Sequence, residues 1–148
     1  MIVFTIGFTK KDARTFFETL TMNGIELLLD IRLNNKSQLA GFAKGRDLEY
    51  FMKKICKADY LHNTIYAPTK ELLDGYKKGV VSWEEYVEVY NDLIQRRNVK
   101  KTFESEVSKE YKRVCLLCSE ETPEKCHRRL LAEYLESQIE VVEQIIHL

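Results

Sequence analysis

The sequence predicts a three-layer α/β fold of the Rossmann-like kind, with a mostly parallel sheet of about four to five strands and helices on both faces. Three observations lead to this prediction. Residues 2–6 (IVFTI) are β-branched and apolar throughout, as expected of a strand buried on both faces, and 25–31 (IELLLDI) predict a second buried strand. An amphipathic segment separates them, which gives a βαβ unit. The apolar run 113–118 (RVCLLC) adds a further buried strand.

The composition suits one domain over residues 1–148. The chain is 45% hydrophobic, and its 23 Lys and Arg residues balance 23 Asp and Glu residues. A net charge of zero gives no general attraction to nucleic acid or to a membrane surface. No segment has the length and apolarity of a membrane span, the N-terminus lacks the features of a signal peptide, and four cysteines are too few for a disulfide scaffold. We therefore expect a cytoplasmic protein with reduced thiols.

Capping and turn residues divide the rest of the chain. Thr9 followed by Asp12 resembles a capping box and predicts the start of a first helix. The side chains of this helix expected to face the core are Ala13, Phe16, Phe17 and Leu20. Polar residues 33–45 predict a long loop. The later predicted elements are a helix at 46–57, a strand near 60–66, a helix at 68–78 after Pro68, a helix from a Ser82–Glu85 capping box, a helix at 100–111, a helix from Pro123 to about 137 and a last strand within 139–148.

Unusual residues follow three predicted strands. They are the segment from Gly7 to Thr9, the pair Asp30 and Arg32, and the segment from Cys118 to Glu120. Ligands of parallel sheets bind at the carboxyl ends of the strands. A strand order such as 3-2-1-4-5 would make the first strand and 113–118 neighbours, so that their ends converge. This edge is the predicted site.

Thiol chemistry is one interpretation of this edge. Cys126, His127 and Arg128 fall at the start of a predicted helix, where a nearby imidazole and guanidinium would lower the pKa of a thiol. Cys118 or Cys126 is then a candidate nucleophile with His127 as general base. The alternative is a buried, structural cysteine, since Cys126 shares a helical face with Leu130 and apolar burial is common for free cysteine.

A metal site is a second interpretation, and the spacing does not favour it. Cys118, Cys126 and His127 are eligible ligands, but they lack the close CxxC or HExxH spacing typical of zinc sites. Cys115 and Cys118 belong to one strand and face opposite sides of the sheet. We predict no metal ligands and leave the cofactor open.

Anion binding is a third interpretation. Arg32, with Arg128 or Arg129, could clamp a phosphate or carboxylate. Asp30 would act as a base or hold an arginine. In a purely structural role it would pair with Arg32 or Arg128, or cap backbone amides; the period of two places Asp30 and Arg32 on the same face. His62 is expected to be a packed or surface histidine, with a place in the lining of the site as the alternative.

Several segments resemble a known family, the domain of unknown function 488. They are TIGFT at 5–9, GIELLLDIR at 24–32, APTKELLDGYKKG at 67–79, WEEYVEVY at 83–90 and VCLLCSEETPEKCHRRLLAEYL at 114–135. The resemblance implies a compact α/β fold and an intracellular prokaryotic protein, with no established activity. The positions that match its signature are Gly7, Asp30, Arg32, Ser37, Cys118, Glu120, Cys126, His127 and Arg128.

This chain departs from the family pattern at two places. Relatives commonly carry His-Ser where it has Phe8 and Thr9, and often an arginine where it has Gln38. Losing a histidine and an arginine weakens a demanding acid/base role. The resemblance therefore implies either that the essential chemistry lies elsewhere or that this member binds without catalysing.

The expected function is that of a small cytosolic enzyme acting on a phosphate-bearing ligand, such as a nucleotide or a nucleic-acid end. Arg32 and Arg128 would hold the anion, Asp30 would orient it or act as base, and Cys126 with His127 would complete the site. Two alternatives stay open: a non-catalytic module that binds a nucleotide, nucleic acid or protein, and a thiol-dependent redox or sulfur-transfer protein. The last requires Cys118 and Cys126 to lie close enough to bridge.

Overall fold

The computed structural model of the protein describes residues 1–36 and 40–148. The described strands are β1 (Ile2–Gly7), β2 (Leu27–Asp30), β3 (Asp59–His62), β4 (Arg113–Cys118) and β5 (Gln144–His147). The α-helices of the same residues are α1 (Ala13–Met22), α2 (Gly45–Phe51), α3 (Lys70–Lys77), α4 (Trp83–Arg96), α5 (Val99–Phe103) and α6 (His127–Gln138). Wider π-helical turns continue α2 to Cys56 and α5 to Ser108, and 3₁₀ turns lie at 41–43 and 64–66.

The strands form one parallel sheet in the order β3-β2-β4-β1-β5. The predicted parallel α/β sheet and the pairing of the first strand with 113–118 are confirmed. The predicted order 3-2-1-4-5 is wrong, because β4 lies between β1 and β2 and β5 pairs with β1. The burial of the strands agrees with this order, although β1 is as buried as β4 and the sequence alone does not choose which of them is central. The VCLLC part of β4 is buried on both faces and suits the centre of a sheet, whereas β5 exposes Gln144 and His147 at an edge.

Helices cover both faces of the sheet. One face packs against α3, α4, α5 and α6, and we call it the α6 face; it buries Tyr90, Phe103 and Leu131. The other face packs against α1 and α2, and we call it the α1 face; it buries Phe16 and Met52. Successive residues of β4 alternate between the two cores, with Leu116 on the α6 face and Leu117 on the α1 face. The predicted three layers are thus confirmed.

Two helix starts differ from the sequence prediction. The N-cap of α1 is Asp12, whose carboxylate accepts a hydrogen bond from the Thr15 backbone N–H at 2.7 Å, and Ala13 is exposed. Thr9 instead donates its hydroxyl to the Ser119 carbonyl at 2.6 Å, which takes it away from the helix. The last helix begins at His127 rather than near Pro123, because Cys126 is extended and ends a turn in which its N–H bonds to the Pro123 carbonyl.

Other predicted boundaries are close to those observed. The strand at 113–118 and the Ser82–Glu85 capping box are confirmed as predicted. Pro68 precedes α3, which begins at Lys70 with Thr69 as its N-cap. No helix among the described residues combines the length and the apolarity needed to cross a membrane.

Candidate active site

The carboxyl ends of β1, β2 and β4 meet at one edge of the sheet. Gly7 is opposite Cys118 in the β1–β4 pairing, and Asp30 is opposite Leu117 in the β2–β4 pairing. Helix α6 starts at the same edge, with Cys126 as its N-cap. Sequence positions that are more than a hundred residues apart therefore lie together here.

Cys118 and His127 form the centre of a cluster on the α6 face. The Cys118 Sγ lies 3.7 Å from the His127 Nδ1. Both residues are buried, with exposed fractions of 4% for Cys118 and 5% for His127. The ring of Tyr90 packs edge-on against the imidazole with a centroid distance of 5.6 Å. The imidazole is thereby held in one position beside the sulfur.

A backbone carbonyl determines which imidazole nitrogen carries the proton. The His127 Nε2 lies 3.1 Å from the carbonyl oxygen of Ile31, which can only accept a hydrogen bond. In the neutral ring Nε2 must therefore be the donor, which leaves Nδ1 unprotonated; the Cys118 Sγ lies 3.7 Å from Nδ1 and 3.9 Å from Nε2. This is the tautomer that a general base for the Cys118 thiol requires.

Cys126 supplies a second thiol to the cluster. Its exposed fraction is 2%, and its Sγ, the Cys118 Sγ and a His127 ring nitrogen lie within 4.8 Å of one another. The Arg128 Nη1 lies 3.8 Å from the Cys126 Sγ. Two sulfur atoms thus share a buried space with an imidazole and a guanidinium.

The two thiols have opposite pKa shifts because they share a proton. A hydrogen bond from Cys126, helped by His127, holds the pKa of Cys118 well below its usual value, although burial opposes this shift. The same hydrogen bond, together with burial, raises the pKa of Cys126. Burial alone would lower the pKa of His127. The neighbouring Cys118 sulfur outweighs this effect, and the pKa of His127 is raised. The pKa shifts of Cys118 and His127 both favour a Cys118 thiolate beside a His127 imidazolium.

The cluster could also hold a metal ion. Among the described residues, Cys118, Cys126 and His127 are the group whose ligand atoms are close enough for this. Sulfur and imidazole nitrogen are ligands that suit a soft or borderline ion. The sequence spacing alone does not predict this proximity, because the eight residues from Ser119 to Cys126 return the chain to the end of β4.

Arg128 fixes that return loop. Its guanidinium is fully buried and donates to the carbonyls of Glu120 and Glu121. The side chain of Glu120 is exposed, so the residue contributes its backbone to this arrangement. Gly7 lies directly below the Glu120 carbonyl. Of the predicted binding residues, Gly7, Thr9, Glu120 and Arg128 therefore all contact the loop between β4 and α6.

Asp30 and Arg32 form a separate cluster on the α1 face. The Arg32 Nε and Nη2 donate to the two carboxylate oxygens of Asp30 at 2.8 and 2.6 Å, and Nη2 also donates to the Ala43 carbonyl. Tyr60 donates its hydroxyl to Asp30 at 2.7 Å, and the Phe8 ring lies 5.3 Å from the guanidinium carbon. The structural alternative, that Asp30 pairs with Arg32, describes this geometry. Ser37 and Gln38 lie outside the described residues.

The two clusters share the end of β2. The Ile31 carbonyl contacts His127, and the next carbonyl, that of Arg32, lies 2.8 Å from the His62 Nε2. The sequence allowed His62 only as an alternative lining residue and did not indicate Tyr60. A signal existed, since both lie on β3, which pairs with β2. The role of the Ile31 carbonyl has no sequence signal, because every residue carries a carbonyl.

The comparison with known families supports the resemblance found in the sequence. The family model described as "Domain of unknown function DUF488" matches residues 12–135. The chain belongs to this family. It matches no curated protein and no solved structure. The matched range includes both the Asp30–Arg32 pair and the cysteine–histidine cluster, so both are part of the family domain.

Proposed function

We propose that this DUF488 protein is a thiol-dependent enzyme in which Cys118 is the nucleophile and His127 accepts its proton. The observation that carries the proposal is the hydrogen bond between the His127 Nε2 and the Ile31 carbonyl. It leaves Nδ1 unprotonated in the neutral ring and only 3.7 Å from the sulfur. A nucleophile and a base whose orientation is fixed by a third group is the arrangement that activates cysteine enzymes.

Transfer of the Cys118 proton to His127 leaves neither of these two side chains without a hydrogen-bond partner. When the Cys118 proton moves to Nδ1, the imidazolium donates from Nε2 to Ile31 and from Nδ1 to the thiolate. The charges of the imidazolium and the thiolate lie next to each other, which reduces the cost of burying them. The Cys126 Sγ lies within 4.8 Å of the same sulfur, and this thiol lowers the pKa of Cys118. These contacts favour the charged pair over two neutral groups.

The anion-binding hypothesis has weaker support from the geometry. Most donors of its two guanidinium groups already have partners inside the protein: Arg32 bonds to Asp30 and Ala43, and the Arg128 Nη1 and Nη2 bond to Glu120 and Glu121, whereas the buried Arg128 Nε has no partner among the described residues. A phosphate would have to displace these bonds before it could be held. The proton transfer from Cys118 to His127 requires no such rearrangement.

The proposal predicts that Cys118 is reactive below neutral pH. The thiolate is populated above the pKa of its thiol, and because that pKa is lowered, alkylation of Cys118 by iodoacetamide should stay fast from alkaline through neutral pH and decline only in acid. His127→Ala should return the thiol towards its usual pKa near 8.5, which would slow alkylation at pH 7 roughly thirtyfold. Rates are measured by mass spectrometry of each cysteine peptide.

Three controls accompany this experiment. His62→Ala removes an imidazole that bonds the adjacent carbonyl of Arg32 but is not bonded to Cys118, and alkylation should be unchanged. Cys56 is partly buried and burial raises its pKa, so it reports the reactivity of a thiol that is not activated in the same sample. The ultraviolet absorbance of the thiolate, as wild type minus Cys118→Ser, follows ionisation independently of reagent access. A Cys118 thiol that ionises at or above the usual thiol pKa near 8.5 would refute the proposal.

A further inference from the structure

We infer that Cys118 and Cys126 form a redox pair that reduces small hydroperoxides. The inference rests on the proposed function, because it uses Cys118 as the nucleophile and names its substrate class. Three observations support it: the proximity of the second thiol, the closed surroundings of both thiols and the cation beside Cys126.

The proximity of Cys126 distinguishes redox chemistry from sulfur transfer. Its Sγ lies within 4.8 Å of the Cys118 Sγ, and neither thiol is in a disulfide. A persulfide on Cys118 would be attacked by this neighbour, which would expel hydrosulfide and close a disulfide before the sulfur could reach an acceptor. An adjacent thiol instead suits a sulfenic acid, which condenses with a thiol to a disulfide.

The closed surroundings restrict the size of the oxidant. Cys118, Cys126 and His127 have exposed fractions of 4%, 2% and 5%. A folded protein or a bulky disulfide cannot approach a sulfur atom that is covered to this extent. Hydrogen peroxide is about as small as water and uncharged, so burial hinders it less than a larger oxidant, and it does not need a free guanidinium.

The first step oxidises Cys118. Its thiolate attacks the terminal oxygen of the hydroperoxide ROOH, an S–O bond forms and the O–O bond breaks. The leaving alkoxide, or hydroxide in the case of hydrogen peroxide, takes the proton from the His127 Nδ1. The products are Cys118 sulfenic acid and ROH, with sulfur oxidised by two electrons and the peroxide reduced by two.

The second step closes the disulfide. The Cys126 sulfur attacks the Cys118 sulfur, the S–O bond breaks, and the hydroxyl leaves as water with the proton from Cys126. The Arg128 guanidinium, 3.8 Å from the Cys126 Sγ, favours the thiolate form needed for this attack. The sum is two thiols plus ROOH giving a disulfide, ROH and water. An external dithiol restores both thiols by exchange and is itself oxidised.

The test treats reduced full-length protein with one equivalent of hydrogen peroxide and maps its cysteine peptides under non-reducing conditions. The expected product is a Cys118–Cys126 disulfide that dithiothreitol reverses. Cys118 should be oxidised at least about tenfold faster than Cys56 in the same sample, since susceptibility to oxidation follows thiolate character. tert-Butyl hydroperoxide should react more slowly than hydrogen peroxide because of its bulk.

Cys126→Ser isolates the intermediate. Cys126 is the N-cap of α6 with extended backbone, and serine is a preferred N-cap residue, so this variant should fold normally. It should accumulate Cys118 sulfenic acid, which dimedone traps, and form no internal disulfide. Cys56→Ser is the matched control and should leave the Cys118–Cys126 disulfide unchanged.

The outcomes separate this inference from the proposed function. If Cys118 ionises at low pH but peroxide gives neither the disulfide nor a dimedone adduct in Cys126→Ser, the redox inference is wrong and the nucleophile remains. If tert-butyl hydroperoxide reacts as fast as hydrogen peroxide, the size restriction is wrong. If Cys118 has an ordinary pKa, both the inference and the proposed function are refuted.

Discussion

Gly7 shows how a single residue determines the geometry of the site. It is the last residue of β1, and a Cβ at this position would lie 1.6 Å from the Glu120 carbonyl oxygen and 2.8 Å from the Arg128 Nη1. The backbone of the β4–α6 loop therefore passes directly over the glycine. Glycine is required here for the close approach of two backbones, since its φ is not in the left-handed region.

We predict that Gly7→Ala destabilises the protein and disturbs the thiol cluster. The added methyl group clashes with backbone rather than with a flexible side chain, so the free energy of unfolding should fall by about 1–3 kcal/mol. Because the displaced loop leads to Cys126, the fast alkylation of Cys118 should also slow. Gly41→Ala is the control, as its Cβ would meet nothing within 4 Å. Denaturant unfolding of both variants gives the comparison; equal stabilities would contradict the close approach seen at Gly7.

The sequence identified the members of the thiol cluster but not how they are arranged. Cys118, Cys126 and His127 could be selected because unusual residues follow a buried strand and begin a helix. The partners of Arg128 could not be predicted, because the carbonyls of Glu120 and Glu121 become acceptors only through the path of the loop. Cationic side chains in a candidate site are for this reason poor evidence for an anion until their internal partners are known.

At the scale of elements, the end of β2 depends on the buried Asp30–Arg32 ion pair. Both side chains are nearly inaccessible and make two parallel hydrogen bonds. The guanidinium also donates to the Ala43 carbonyl, which connects the strand end to the turn before α2. The pair thus holds both ends of the segment between β2 and α2.

We predict strong coupling between these two residues. Asp30→Leu leaves a buried guanidinium without its carboxylate and should cost about 3–5 kcal/mol, whereas the double variant with Arg32→Met should be less destabilised than the sum of the single variants by about 1–3 kcal/mol. Denaturant unfolding of the four proteins measures this coupling. The control is the same cycle on the exposed Lys70–Asp74 pair of α3, where we expect no measurable coupling. Additive effects at Asp30 and Arg32 would contradict a structural pair.

The order of the helices and strands along the chain was easier to predict than the residues at which each begins and ends. Strand β4 was correctly bounded because its apolar run is continuous, and α4 because its capping box is formed by neighbouring residues. The start of α1 was misplaced because Thr9 and Asp12 are both good capping residues. Thr9 bonds to Ser119, which is distant in sequence, and this tertiary contact decides between them.

For the whole molecule, the buried tyrosines predict a loss of stability at high pH. Tyr66, Tyr86 and Tyr90 are nearly inaccessible, and burial raises the pKa of each above the ordinary value of 10.0. Above pH 10 the unfolded chain therefore releases these protons first. The free energy of unfolding should fall by about 1.4 kcal/mol per pH unit for each such tyrosine.

Denaturant unfolding between pH 7 and alkaline pH tests this prediction, with tyrosinate absorbance as a second observable. Tyr66→Phe removes a buried hydroxyl that has no hydrogen-bond partner in the described part of the chain, so the variant should fold and show a shallower alkaline decline. Tyr50→Phe is the control, since Tyr50 is 60% exposed and should not change the slope. A wild-type stability that stays level from pH 9 to 11 would contradict the prediction.

The sheet order is a property of the whole molecule that the sequence did not determine. The βαβ pattern predicted that β1 and β2 share a parallel sheet, and they do. It did not show that β4 separates them, because an adjacent and a skipped position both allow a right-handed connection. The inserted strand carries Cys118 at its end, between the ends of β1 and β2.

The orienting partner of His127 belongs to the main chain, and this has a consequence for how the protein can vary. In many catalytic triads a carboxylate side chain holds the imidazole, and one substitution removes it. Here replacement of Ile31 by any other residue leaves the carbonyl acceptor in place. The hydrogen bond that orients His127 therefore tolerates mutation of this side chain as long as the backbone at the end of β2 keeps its position. A neutral acceptor also brings no extra negative charge next to the imidazole. Variation in this part of the site is therefore limited by the shape of the backbone more than by the identity of the amino acid.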